Sequence, residues 1–485
     1  MKKYIGITIG PIFDTMNLVS SPSALWASSY IFSYISRSIC EKLTEKYGIT
    51  EIVSPYFNKN DKTLFVNNGI GLFHDRIIFV KPEGFDIKKI QELRKSIIDD
   101  VSQKFDIDNT DGYMDKYIML VAAEFEAENP LLEGDPILNS LELSKKYVAT
   151  ERKNPILGTF NSTPRGKEEE AKRTARNQRI KEVVKCNLKI DGWQLFKDNE
   201  NDIKDLESIA KCDDTDKKYN DYCAIVRADG DRIGTIIKGI TDFNAFSETC
   251  FKYCSAAAEL VKDFGGVTIY SGGDDLLAIL PCRSEKGTLF DFSFELQKLF
   301  NEKFNTYIEN TVEPKPSLST GIFIFYKNFP LYEALSESVD LLFSTAKSRR
   351  NCLALNLRKH SGQSVKIIIP NGSLTKVIEL KDKILGNADK DEIILSALQK
   401  ISLFNELFDL ANTDEQIKNL FINTFDASYH IGNDFLHNVL AEHYNSYRNT
   451  SKTPIYSADE TAKFADTFSA LLRVFKFYTE KGGEK

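Results

Sequence analysis

Short apolar runs and longer amphipathic stretches alternate along the chain, and their order occurs twice. Residues 4–9, YIGITI, are β-branched and aromatic, as a core strand requires. A loop with Pro11 and a Ser-Pro-Ser at 21–23 follows, and residues 24–48 then carry apolar positions at helical spacing up to Gly48. EIVSPYF, LFVNN and DRIIFV predict strand, short loop and strand, with Asn67, Asn68, Gly69 and Gly71 supplying turn chemistry. A second helix is predicted over about 86–106, which gives the β-α-β-β-α order of a ferredoxin-like unit.

Residues 131–218 break this rhythm. Pro130, Pro136, Pro155 and Pro164 punctuate short segments, and GKEEEAKRTARNQRIKEVVK reads as a solvated, charged helix. At Tyr222 the order restarts. YCAIVRADGD is a strand ending in carboxylates, a helix follows at about 244–263, and VTIYSGGDDLLAILP is strand, turn and strand. A helix, the strand LSTGIFIFY, the helix LYEALSESVDLLFSTAKS and the strands NCLALNL and SVKIIIP complete a second copy. After about residue 371 amphipathic helices take over. The expected protein is α+β: a first ferredoxin-like domain at 1–130, a helical insert and linker at 131–218, a second such domain at 219–370, and a helical C-terminal domain at 371–485.

Composition narrows the function. The 485 residues support several domains, and 42% hydrophobic with 27% charged residues is ordinary for a globular protein. A formal charge of −7 gives little drive to grip nucleic acid over the chain's own surface, so any nucleic acid is expected to be held by partners. Eight cysteines form no CxxC pair, which predicts reduced thiols and no zinc. Pro11 and Asp14 interrupt the N-terminal apolar run, and no stretch approaches ~20 apolar residues, so neither a signal peptide nor a membrane span is expected and the location is expected to be cytoplasmic.

The chemistry concentrates in the second copy. Gly272-Gly273-Asp274-Asp275 sits between two apolar strands, where glycines let a triphosphate approach the backbone and paired carboxylates can hold Mg²⁺. Asp229, in Ala228-Asp229-Gly230-Asp231, ends the preceding strand; the β-α-β-β order sets it beside Asp274, the minimum for metal-assisted phosphoryl transfer. Gly230 and Gly234 let the turn expose backbone N–H groups to phosphates. Lys347, at the end of a helix, can reach a triphosphate, as could Arg349 and Arg350, and Ser319 and Thr320 can hydrogen-bond a base or cap a strand.

ADGDRIG, SGGDDLLAILP, LSTGIFIFYKNFPLYEAL and LLFSTAK resemble the GGDD palm of the large polymerase-cyclase subunit of type III CRISPR effector complexes, and the opening YIGITIGPIFDTM with SALWASSYIFSYISRSI resembles the first palm of the Cmr (III-B) branch. The resemblance implies a nucleotidyltransferase that uses ATP, with Mg²⁺ or Mn²⁺, to make an adenylate second messenger when the assembled complex binds target RNA. Asp229, Asp274 and Asp275, with Gly230 beside them, would hold the metal. Gly230, Asp231, Arg232, Ile233, Gly272, Gly273, Ser319 and Lys347 would hold the donor nucleotide. The first palm would seat the acceptor through Ser20, Ser21, Ser23, Trp26, Ser28, Ser29 and the 68–75 hairpin. Asp75 there could pair with the amino or sulfonium group of S-adenosylmethionine, an acceptor weighed equally against a second ATP leading to cyclic oligoadenylate; strand alternation sends Arg76 to the opposite face.

The chain departs from family practice in starting directly at the first palm. His74-Asp75 is its one His-Asp dipeptide, so no nuclease activity is expected. Implied partners are the other subunits of the ribonucleoprotein, with crRNA and target RNA reached through them; the C-terminal helices would dock subunits through Leu471, Leu472, Phe475 and Phe477. A stand-alone diguanylate-type cyclase and a non-catalytic scaffold are the competing readings. The first is disfavoured because one chain already carries both halves, and the second because the carboxylates of the second palm are intact.

Overall fold

The computed structural model describes residues 1–60, 69–144, 154–160, 167–184, 206–312, 314–386, 391–411, 413–425, 435–448, 455–457 and 463–482. The expected LFVNN segment, with Asn67 and Asn68, lies outside them, as does most of the linker before Leu206.

In the first palm, β1 (Lys2–Gly10) is followed by the short α1 (Ile12–Asn17) and by α2 (Pro22–Tyr47). Ser21 caps α2 by accepting from the Ala24 N–H, Pro22 occupies the first turn, and Gly48 ends the helix in the left-handed region at φ 64°. Then come β2 (Ile52–Ser54), β3 (Arg76–Val80), α3 (Lys88–Phe105) and β4 (Met119–Ala127). The sheet is antiparallel throughout, in the order β2-β3-β1-β4, which is the ferredoxin-like arrangement. Three helices follow. α4 (Pro130–Ser144) packs on β4 and β1, while α5 (Pro155–Phe160) and α6 (Lys167–Val184) lie against α2 and α3 respectively. Pro130 and Pro155 therefore open helices.

The second palm runs β5 (Tyr222–Asp231), α7 (Ile233–Gly239), α8 (Phe243–Asp263), β6 (Val267–Gly272), β7 (Asp275–Pro281), α9 (Leu289–Glu309), β8 (Ser317–Tyr326), α10 (Leu331–Asp340), β9 (Cys352–Arg358) and β10 (Ser364–Pro370). A π-helical turn at Leu341–Ala346 and one α-turn at Lys347–Arg349 link α10 to β9. The C-terminal helices are α11 (Leu374–Leu385), α12 (Asp391–Leu403), α13 (Asn405–Leu410), α14 (Asp414–Thr424), α15 (Ala441–Arg448) and α16 (Phe464–Phe477), with a short strand β11 (Tyr456–Ser457) before the last. The sheet order is β11-β10-β9-β8-β5-β7-β6; β8 and β9 are parallel and the other pairs antiparallel. The β8-β5-β7-β6 part repeats the arrangement of the first palm.

Strand periodicity divides the second sheet between two cores. Tyr222, Ala224 and Val226 of β5 pack with α8, α9 and the C-terminal helices, whereas Cys223 and Ile225 join the core of the first palm. α2 thus lies between the two sheets and is buried over most of its circumference. The palms are knitted together by the Ser247 hydroxyl, which donates to the Val53 carbonyl at 2.6 Å, and by a parallel bridge between Gly71 and Tyr270.

The C-terminal helices continue the core of the second palm. Leu471, Leu472, Phe475 and Phe477 are fully buried, with Phe475 against Phe290 and Phe477 against Tyr222. These four side chains are therefore not the docking face expected of them, because they cover the chain's own sheet. None of the described helices is long and apolar enough to cross a membrane, and the seven described cysteines form no disulfide.

Candidate active site

β5 and the β6–β7 hairpin carry carboxylates to one point. The oxygens of Asp229, Asp274 and Asp275 lie within 4.8 Å of one another, forming the one group of three or more potential metal ligands among the described residues. Gly273 takes the left-handed region at φ 69°, which turns the chain between β6 and β7. Gly230 is required by close approach: its N–H donates to Asp274 at 3.1 Å, and a Cβ there would lie 2.6 Å from the same carboxylate oxygen.

Lys347 Nζ sits 2.8 Å from Asp229 and 3.2 Å from Asp231, and it also donates to the carbonyls of Asp229 and Gly230. It is delivered by the π-helical turn, which approaches β8 so closely that a Cβ on Gly321 would meet the Leu342 backbone nitrogen at 2.9 Å. Burial, Asp229 and their mutual repulsion raise Asp274 and Asp275 well above the ordinary carboxylate range, and Lys347 offsets part of this. Asp275 nonetheless opens towards solvent in the cleft between the palms. Three hard oxygen donors held this close are the chemistry that suits a divalent cation.

Two cavities meet at this cluster. One, of about 330 Å³, runs between the first palm and the π-helical turn and is lined by Asp14, Met16, Glu142, Arg227, Phe13 and Phe343 among others. The other, of about 490 Å³, lies over the GGDD hairpin and is lined by Gly272, Gly273, Asp274, Ile233, Phe246, Cys250 and Phe251, with Tyr56 and Arg76 from the first palm. Asp75, Tyr270 and Asp275 line both. Burial raises Asp75 to about 6, with Arg76 opposing and Glu142 reinforcing the shift.

Other expected site residues sit elsewhere. Asp231 is buried behind the cluster, where it accepts from the hydroxyls of Ser317 and Ser319 and from the Asn351 N–H. Ser319 is thus turned onto Asp231 and away from both cavities. Arg232, at φ 60°, forms the turn into α7 and lines neither cavity. Ser21 is engaged in capping α2 and lies 3.1 Å from Ser23; neither they nor Ser20 line the two cavities described above. Trp26, stacked on Tyr30 and donating to the Gly69 carbonyl, is buried in the first palm, as are Ser28 and Ser29, and these three line neither of the two cavities. Arg76 turns to α4, pairing with Asp135 and Glu142, yet remains near enough to Asp75 to act on its charge. His74 is fixed by Ser54 and belongs to no ligand cluster among the described residues.

Sequence reasoning missed Glu142, Arg227 and Tyr270. Glu142 comes from α4, whose prolines read as breaks, while Arg227 and Tyr270 stand beside the recognised motifs in the same strands.

Residues 222–354 match the family model for the second palm domain of Cas10/Cmr2, and residues 4–106 match that for the N-terminal region of the CRISPR-associated protein Cmr2. The CRISPR system Cmr subunit Cmr2 of Pyrococcus furiosus is 31% identical over a region that covers 34% of this chain and only 22% of that relative. Among solved structures, a type III-B Cmr-beta complex in its apo state contains a chain matched over 99% of this one and 82% of its own length, at 12% identity and a TM-score of 0.57. A Csm1-Csm4 cassette in complex with cA4 is matched over 99% of this chain and 70% of its own, at 13% identity and a TM-score of 0.53. At such identities these structures speak for the fold alone. One polypeptide thus carries a region matching the N-terminal part of Cmr2 and a region matching the second palm of Cas10/Cmr2, and these matched regions point to the type III-B Cmr branch.

Proposed function

We propose that the chain is the signalling subunit of a type III-B effector ribonucleoprotein, and that on target RNA binding it transfers the adenylyl group of ATP to a ribose hydroxyl. The observation that carries this reading is the carboxylate triad at the junction of two cavities, one for each substrate. A divalent cation, Mg²⁺ or Mn²⁺, held by Asp229, Asp274 and Asp275 would supply Lewis-acid stabilisation of the phosphoryl oxygens and make the acceptor hydroxyl more acidic.

The chain's own groups do the rest. The cavity over the GGDD hairpin takes ATP: Gly272 and Gly273 keep side chains out of the phosphates' way, and Ile233, Phe246 and Phe251 offer an apolar seat for the base. Lys347, now neutralising Asp229 and Asp231, is the cation within reach of the triphosphate. The acceptor's 3′-oxygen attacks the α-phosphorus, a 3′–5′ phosphodiester forms, pyrophosphate leaves, and the hydroxyl proton passes to water through the cleft beside Asp275.

The acceptor cavity favours S-adenosylmethionine. Asp14, Asp75 and Glu142 line it against a single Arg227, so a sulfonium or ammonium group is attracted and a triphosphate repelled. Its apolar walls, including Met16, Phe13 and Phe343, suit the rest of such a ligand. The test is the assembled complex with crRNA and target RNA, given labelled ATP with and without S-adenosylmethionine, and products identified by mass. The expected product is an ATP–S-adenosylmethionine conjugate, SAM-AMP. Cyclic oligoadenylate unaffected by S-adenosylmethionine would reject the acceptor assignment, and no nucleotide product at all would reject the enzymatic reading in favour of a scaffold.

A further inference from the structure

Tyr270 occupies a position that the reading above leaves unused. A bulge breaks the register of β6 against β7: Thr268 pairs with Ala278 and Tyr270 with Leu277, so Ile269 is the extra residue. The bulge lets Ile269 and Tyr270 both pack towards the first palm instead of alternating. Tyr270 is held in that pose from the opposite palm, through its bridge to Gly71 and the Ser271 N–H that donates to the Gly71 carbonyl at 3.0 Å. Its hydroxyl lies over Gly272, where an added Cβ would be 2.4 Å away. Gly272 is therefore needed to make room for Tyr270. Among the described residues that hydroxyl meets no hydrogen-bond partner, although the ring lines both cavities together with Asp75 and Asp275.

We propose that Tyr270 is an acceptor-binding residue: its ring forms the wall between the donor and acceptor cavities, and its hydroxyl donates to the ribose of the acceptor. A phenol suits the place, because it is a neutral group that can both donate to and accept from a ribose hydroxyl. This inference rests on the nucleotidyl-transfer reading and assigns a specificity role within that same site.

The test uses the full chain in its assembled complex with target RNA, with Michaelis constants measured separately for ATP and for S-adenosylmethionine. Tyr270→Phe keeps the wall and removes the donor. It is expected to raise the acceptor constant about three- to tenfold, the effect of one hydrogen bond, with the ATP constant unchanged. Mn²⁺ affinity, read by electron paramagnetic resonance, should equal that of wild type and so report an intact carboxylate triad. Equal shifts in both constants, or none in either, would overturn the role of Tyr270 while leaving the transfer reading in place. A wild-type complex that binds Mn²⁺ but makes no product would instead take down the transfer reading and this inference with it.

Discussion

The two palms share one fold but not one chemistry. In the second, β5 carries Asp229 near its end and a two-residue turn delivers Asp274 and Asp275 against it. In the first, the equivalent strand β1 ends at Gly10, before Pro11, and residues 55–75 of the sequence separate β2 from β3. Asp75 precedes β3 much as Asp275 opens β7, but it has no carboxylate from the neighbouring strand end to share a cation with. A palm needs acids from two adjacent strands to hold a metal. With one, it can still recognise charge and wall a cavity. The comparison separates a metal-holding half from a substrate-shaping half, and it can be broken at several points.

The largest effect is expected in the second palm. Asp274→Asn together with Asp275→Asn should lower nucleotide synthesis on the order of 10³-fold or more, with complex assembly intact by gel filtration. Residual turnover above a few per cent would place the metal elsewhere. Next is Gly230→Ala, whose added methyl collides with Asp274 and Ile233; turnover should fall about 100-fold because the carboxylate is displaced.

A smaller, selective effect is expected in the first palm. Asp75→Asn should lower kcat/KM for the cationic acceptor about tenfold and leave that for ATP unchanged. Because burial raises Asp75 to about 6, wild-type kcat/KM for the acceptor should drop as pH falls below that value, and the variant should lack this limb.

The smallest effect concerns stability. Asp274 and Asp275 are raised in the folded chain, so between their unfolded value and the raised one the native state holds more protons and stability declines as pH rises. Metal-free protein should therefore melt a few degrees lower at pH 8 than at pH 6, with Mg²⁺ closing the gap. A melting temperature that rises with pH in the absence of metal would contradict the crowding of the triad.

The β-α-β-β-α order of the first palm and the full β-α-β-β-α-β order of the second were legible as apolar runs and amphipathic helices, whereas β4 of the first palm was not foreseen. The convergence of Asp229 with Asp274 was legible because both sit at strand ends whose adjacency the order dictates. What the sequence concealed was long-range register. Ser317 stands opposite Asp231 and Ser319 two residues further along β8, so Ser319, open in the sequence to a base contact or a strand cap, instead lines a buried carboxylate together with Ser317. Trp26, Ser28 and Ser29 were placed at the acceptor without sight of their packing: they lie on a helix pressed between two sheets and are buried there. Glu142 was hidden because Pro136 lies within α4, where a proline ordinarily marks a break.

The bridge from Gly71 to Tyr270 has a bearing on solubility as well. β6 is the outermost strand of a seven-stranded sheet, and its sequence, VTIYSG, is the sort that recruits further strands when its edge is bare. The first palm covers the end of that edge with its own backbone at Gly71 and lays α2 across its side. Separating the palms would thus uncover an adhesive strand, and a chain cut between them should scatter light as a self-associating species where the intact protein does not.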